Sequence, residues 1–225
     1  MSTPIFDKYP RGSDFGGRRV LNLGCGFAQY KRPNVVNIDA FDICNPDVVH
    51  DLNKTPYPLE AGSFDLIIAN HIVEHLPAWW SCLNECGRLL KPDGVLEIWV
   101  PGSGSDAIFG FRDHVAQICN QSFYGTFGTY RAGHNAWAAA NLDHHASMLK
   151  LVAQTSRMEN LWWMHYAPVS FRKWAWKHLR NVTLEDGYFF RKVSVAEHKK
   201  EMEEHRERLK DNRTDALLRV QEAAV

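Results

Sequence analysis

Apolar positions in the first half of the chain gather into short runs, each closed by glycine, proline or a polar residue. "RVLNLGCG" (Arg19–Gly26) is an apolar run ended by glycines, the form of a buried parallel strand feeding a tight turn. "NVVNIDA" ends on an acid, Asp39, followed by Ala40, and "DVVHDL" (Asp47–Leu52) is a shorter third run. "SFDLIIAN" (Ser63–Asn70) is the fourth and "VLEIWVP", closed by Pro101, the fifth. Between the last two, Trp79, Trp80, Leu83, Cys86, Leu89 and Leu90 recur at helical spacing, with "KPDG" as the stop. Strands alternating with helices or short crossovers predict an α/β fold with a mainly parallel sheet.

Residues 102–142 are rich in glycine and aromatic side chains and have no clean period. Met148, Leu149, Leu151 and Val152 restore a helical period over Asp143–Arg157. "NLWWMHYAPV" and "YFFRKVSV" read as two late strands, with the amphipathic helix "FRKWAWKHL" between them. From Ala196 the chain is highly charged and made of helix formers, with Lys200–Glu204 and Glu204–Arg208 pairs. This divides the chain into a lead-in at 1–18, a domain at 19–195 whose 103–147 stretch is a variable substrate or lid region, and a charged helix at 196–225.

Ligands of parallel α/β sheets bind outside the carboxyl ends of the strands. Gly24–Phe27, Asp39, Asp51–Leu52, Asn70–His71 and Pro101–Gly102 all fall at those ends, so five loops converge on one edge. A glycine turn after a strand is shared by nicotinamide, flavin and S-adenosylmethionine (SAM) sites. Here only seven residues, Ala28–Asn34, lie between the turn and the second strand, and the acid follows Gly24 by fifteen residues. A dinucleotide site calls for a full helix aimed at pyrophosphate and an acid ~20 residues on. NAD is therefore disfavoured.

Taken in order, "VLNLGCG", "VNIDA", "VVHDLNKTPYP", "GSFDLIIANHIVEHL" and "LNECGRLLKPDGVLEIWVP" resemble the successive motifs of class I SAM-dependent methyltransferases. The likeness is closest to the small branch with an asparagine in the first strand and a shortened first helix, and it covers about Arg18 to Pro101. It implies a Rossmann-like, doubly wound, mainly parallel seven-stranded sheet with helices on both faces, and SAM as the cofactor. It also implies roles for matching positions. Gly24, Cys25 and Gly26 would face the methionine part through their backbone, Asp39 would take both ribose hydroxyls, and Asp51 and Leu52 would bracket the adenine. Asn70 and His71 would lie beneath the sulfonium, and Asn22 belongs to the cofactor-binding set as a hydrogen-bonding residue behind it rather than a direct contact. The sequence departs from the wider family at Asn22, often acidic elsewhere, and at Ala28, where a third glycine is common.

Methyl transfer needs an aligned nucleophile, exclusion of water and, for some acceptors, a base. His71 is the first candidate for a base by position, and His134, His144 and His145 lie in or beside the variable region. His145 is the second catalytic candidate. "NHIVEHLP" also matches the zinc spacing H-x-x-E-H at His71, Glu74 and His75. In the methyltransferase reading that match is a coincidence, Glu74 and His75 are structural, and no metal site is expected.

Composition narrows the acceptor and the setting. Lys+Arg and Asp+Glu both number 26, which gives no global field for nucleic acid or an acidic membrane. The motif of exocyclic-amine DNA methylation, [D/N/S]-P-P-[Y/F/W], is replaced by Asn70-His71-Ile72-Val73, and the Pro-Cys of C5-pyrimidine methylation does not occur. Aromatic residues make up 12% of the chain, suiting a pocket for an organic acceptor. The expected activity is methyl transfer to O or N of a small-molecule or glycan-like acceptor. The alternatives are a nucleic-acid methyltransferase using Arg172–Arg180 and a non-catalytic SAM-binding scaffold. Five cysteines without paired spacing, no signal region and no apolar run near ~18 residues predict a reduced, cytoplasmic protein that does not enter the membrane. The charged C-terminal helix is the candidate surface for a homodimer.

Overall fold

The structure is a computed structural model that describes residues 14–123, 148–158, 166–178, 183–200, 203, 204 and 207. Its strands are β1 (Val20–Leu23), β2 (Val35–Asp39), β3 (Val48–Val49), β4 (Phe64–Asn70), β5 (Leu90–Pro101), β6 (Leu149–Met158) and β7 (Thr183–Lys192). They form one seven-stranded sheet in the order β3-β2-β1-β4-β5-β7-β6. Strands β1 to β5 pair in parallel, whereas β7 runs antiparallel to both β5 and β6. The chain leaves β1 toward β2 on one side and later returns to β4 on the other. That reversal opens a crevice at the carboxyl end of β1, where open α/β sheets bind ligands.

Side-chain alternation gives each face of the sheet its own core. Leu21, Leu23, Ile38, Ile67, Ala69, Leu96, Ile98 and Val100 face one way. They meet Cys82, Leu83, Cys86 and Leu89 from helix α1 (Trp79–Leu89); of the predicted helical stripe, Leu83, Cys86 and Leu89 are buried on that helix, whereas Trp80 is exposed and Leu90 begins β5. Val20, Val35, Leu66 and Ile68 face the other way and are covered by Phe15 and Tyr30, whose rings meet edge to face at 5.2 Å. All five cysteines are free. Among the described residues no helix is long and apolar enough to cross a membrane.

A half-buried ion pair fixes the approach to β4. Glu85, on α1, accepts from the Tyr57 amide at 2.7 Å and from Arg88 Nε and Nη2 at 2.8 and 2.6 Å. Arg88 also donates to the carbonyls of Leu59 and Tyr57, each at 3.0 Å. Burial favours the neutral acid, but the Arg88 and Tyr57 hydrogen bonds outweigh it and hold the Glu85 pKa below its usual value.

Four local expectations are corrected. The stretch read as a helix over Asp143–Arg157 forms strand β6 where it is described, from Leu149 onward, because pairing of nine residues with β7 overrides a weak helical period. The shortened first helix between β1 and β2 is absent: residues 27–34 form turns and irregular chain. There Ala28 N donates to Cys25 O at 2.9 Å, and Asn22 Nδ2 takes the Ala28 carbonyl, so a side chain replaces a helical partner. The third strand shrinks to Val48–Val49. Strand β7 begins at Thr183, five residues before Tyr188, and accommodates Gly187 because the Trp99 ring lies over it: an added Cβ would sit 2.8 Å from that ring.

The amphipathic segment is helical as expected over residues 171–178, within α3 (Val169–His178), and a short α2 (Ala107–Gly110) opens the variable region. Most of the expected strand at Asn160–Val169 lies outside the described residues, as do His134, His144 and His145. Of the expected C-terminal helix, residues 195–200 are helical, with Ser194 Oγ accepting from Glu197 N at 3.1 Å; most of its remainder lies outside the described residues.

Candidate functional site

The carboxyl edge is built around the turn after β1. Gly24 and Gly26 have φ of 63° and 47°, the left-handed region that glycine enters at little cost. Gly24 is also confined: an added Cβ would stand 2.4 Å from Ile72 Cγ1, so the turn packs directly on the exit of β4. Two amides of the turn are spent inside the fold. Cys25 N donates to Ile38 O at 3.1 Å and Gly26 N to Asp39 Oδ2 at 2.7 Å. The other carboxylate oxygen, Oδ1, accepts from Phe41 N at 2.9 Å. Asp39 is buried and holds the glycine turn and its own strand exit in fixed relation.

Asn22 lies behind this turn. Its Nδ2 donates to Ala28 O and to Asn37 Oδ1, both at 3.0 Å, and Asn37 Oδ1 also accepts from Tyr30 N at 3.1 Å. This is a buried polar lattice behind the turn. The Cys25 thiol is buried, and burial, with the Asp39 charge beside it, pushes its pKa up to about 12. It is an inert thiol at neutral pH.

Asp51 and Leu52 follow β3 and differ in character. Asp51 is partly exposed, its Oδ1 accepting from Asn53 N at 3.0 Å and Nδ2 at 3.1 Å, and these bonds lower its pKa. The Leu52 side chain belongs to the core, and its carbonyl accepts from Tyr57 Oη at 3.0 Å. Leu52 therefore has little side-chain surface to offer a ligand.

At the end of β4, Asn70 pairs with Trp99 of β5 and His71 takes a φ of 50°. The His71 ring lies between two buried carboxylates, Nδ1 at 3.2 Å from Glu74 Oε1 and Nε2 at 2.8 Å from Glu185 Oε1. Burial disfavours its charge, but the bonds to Glu185 and Glu74 prevail and raise its pKa. Both ring nitrogens are thus engaged by carboxylates, which fix the orientation of the imidazole at the strand end.

Glu185 and Asp186 were not found from the sequence. Because β7 is antiparallel, its first residues lie at the carboxyl end of β5, with Glu185 opposite Pro101. Arg157 Nη1 approaches Glu185 Oε2 at 3.5 Å. Asp186 accepts from Ser156 Oγ at 2.6 Å and from Ser103 N at 2.9 Å. Both acids are buried, and Asp186 ties down the first residues after β5. The available signal was two consecutive acids and a glycine within an otherwise apolar and aromatic strand, since charges are rarely buried unless paired.

A family profile described as a methyltransferase domain matches residues 2–197. The chain belongs to this methyltransferase family. A SAM-dependent methyltransferase from Archaeoglobus fulgidus superposes with a TM-score of 0.53 at 13% identity, covering 78% of this chain and 86% of that one. A chain from the complex of the Haloferax volcanii Trm112 methyltransferase activator with a methyltransferase gives 0.51 at 11% identity, covering 79% and 84%. At these identities the superpositions establish the fold. No curated protein sequence matches significantly.

The protein is thus a class I, SAM-dependent methyltransferase, as the motif resemblance implied. The residues at the crevice are compatible with SAM in kind. A carboxylate has about four acceptor positions, and Asp39 spends two on Gly26 and Phe41, leaving two for hydroxyls.

Proposed function

We propose that SAM lies across the carboxyl edge with its methionine part over Gly24–Gly26, its ribose at Asp39, its adenine by Asp51 and the backbone of Leu52, and its sulfonium above Asn70 and His71. The methyl group passes to O or N of a small-molecule or glycan-like acceptor. The observation that carries this reading is the meeting, at one sheet edge and in motif order, of the ends of β1, β2, β3 and β4 with the start of β7. Bound SAM supplies an already activated methyl, so the chain has to place the acceptor in line and keep water out.

Glu74 and Glu185 engage both ring nitrogens of His71, which serves in this reading to position the end of β4. Proton removal, where the acceptor needs it, falls to another group, and His145 is the histidine to test. The acceptor enters over Ser103 to Phe111, a segment anchored by Asp186 and carrying the exposed rings of Phe109 and Phe111. Those rings suit a sugar or aromatic ligand. The five free thiols agree with a reducing, cytoplasmic setting. The charged segment after Ser194 is proposed as the homodimer contact.

The nucleic-acid alternative draws on α3, where the exposed rings of Phe171 and Trp174 stack at 5.7 Å with Arg172 between them in sequence. Incubation with methyl-labelled SAM and separate pools of hydroxylated and amine metabolites, glycans, DNA and RNA distinguishes the readings. Label is expected in a metabolite or glycan pool. Label confined to DNA or RNA, with binding that weakens steeply with salt, would overturn the acceptor class. Tight SAM binding without transfer to any pool would favour a scaffold.

A further inference from the structure

Neither His75 nor His114 has a part in methyl transfer, and Glu74 enters it only through His71. Glu74 and His75 share the short turn Val73–His75, while His114 comes from the loop that follows α2. Two hydrogen bonds pin that loop against the turn. Ala116 N donates to Glu74 O at 2.9 Å, and His75 Nδ1 donates to Asp113 O at 3.0 Å, with Asp113 Oδ2 3.3 Å from the same nitrogen. One potential ligand atom from each of Glu74, His75 and His114 then lies within 4.8 Å of the others. The two imidazoles meet edge to face, 4.8 Å between centroids.

Two buried atoms in this cluster lack a hydrogen-bond partner among the described residues: Glu74 Oε2 and His114 Nδ1. Glu74 is 1% exposed, so its carboxylate cannot turn to water. A buried polar atom left unpaired is costly, and two in one cluster call for an explanation. A cation satisfies both. The supporting bonds are also those of a metal site. Donating Nδ1–H to the Asp113 carbonyl leaves His75 Nε2 with its lone pair, the arrangement that orients a ligating imidazole. Glu74 Oε1 is likewise fixed by His71, which leaves Oε2 as the atom to coordinate.

We propose that Glu74, His75 and His114 bind a divalent transition metal of the zinc class. Two imidazoles and one carboxylate suit zinc, cobalt or ferrous iron, whereas magnesium and calcium prefer all-oxygen shells. Three protein ligands leave a coordination position open to water or to an oxygen donor such as a substrate hydroxyl or carboxylate. The zinc-like spacing in "NHIVEHLP" was therefore half informative. Glu74 and His75 are ligands, but His71 is turned to Glu185, and the third ligand is His114 from a distant loop. This site depends on its own three residues and stands or falls separately from the choice of methyl acceptor.

The test uses the full chain, free of any affinity tag, stripped with a chelator and titrated with Co²⁺ under visible absorption. One equivalent is expected to bind with weak ligand-field bands and no thiolate charge-transfer band, and Zn²⁺ is expected to displace it. His114→Ala, in a loop, and Glu74→Gln should each weaken binding by about 100-fold or more, since loss of even a supporting partner costs ~10–100-fold. SAM binding should persist in His114→Ala, which shows that the variant is folded. Absence of stoichiometric Co²⁺ binding, a thiolate band, or wild-type affinity in folded His114→Ala would overturn the assignment.

Discussion

Replacing Asp39 with alanine is expected to weaken SAM binding by an order of magnitude or more in a calorimetric titration. Charge-assisted hydrogen bonds contribute ~1.5–3 kcal/mol each, and about 1.4 kcal/mol corresponds to a factor of ten. The substitution acts twice in this fold. It removes the acceptor proposed for the ribose hydroxyls, and it releases Gly26 N and Phe41 N, both now held by the same carboxylate. Asp39→Asn separates the effects, because its amide oxygen can keep one backbone bond but cannot serve two hydroxyls and two amides. The expected order of affinity is wild type, then Asn, then Ala. Unchanged SAM affinity in a folded Asp39→Ala protein would remove Asp39 from the site.

Gly24→Ala is expected to lower stability by about 2–5 kcal/mol, read as a shift in the denaturant midpoint. A side chain in the left-handed region costs roughly 1–2 kcal/mol, and overpacking a closed site adds about 1–3 kcal/mol. Both apply at Gly24, where φ is 63° and the new methyl would meet Ile72 Cγ1, Cβ and Cδ1 at 2.4 to 2.7 Å. Ile72 follows His71, so relief of that clash displaces the end of β4 and lowers SAM affinity as well. Gly26→Ala is the internal comparison. Gly26 has φ of 47° but nothing within 4 Å of an added Cβ, so it incurs only the backbone cost. Equal losses at the two positions would mean that packing on Ile72 is unimportant.

The sheet was legible in the sequence because its strands are short, apolar and closed by turn residues, a pattern that depends on little beyond burial. All five early runs contain strands, and Leu83, Cys86 and Leu89 lie on the buried face of α1, with Trp79 packed against it and Trp80 exposed. The misreadings lie where tertiary pairing decides. Leu149, Leu151 and Val152 satisfy a helical spacing, yet only Leu149 is fully buried, and Val152 is half exposed on a strand fixed by β7. The Ala28–Asn34 segment had the length of a helix, but Asn22 and Asn37 side chains take the Ala28 and Tyr30 backbone groups that a helix would use internally.

The same division applies to the site. The placement of Gly24, Asp39, Asp51 and Asn70 at or just beyond strand ends was readable because position at a strand end is a local property. Glu185, Asp186 and His114 were not, because their partners lie far away in the chain. His71 reaches Glu185 across 114 positions and Asp186 reaches Ser103 across 83. Glu74, read as structural, proved to be half of the clamp on His71.

A structure with S-adenosylhomocysteine bound shows whether SAM lies along the loops after β1, β2, β3 and β4. Both ribose hydroxyls are expected within hydrogen-bond distance of Asp39, the amino-acid end against Gly24–Gly26 and the sulfur above Asn70 and His71. A nucleoside seated elsewhere, with Asp39 still bonded only to Gly26 and Phe41, would contradict it.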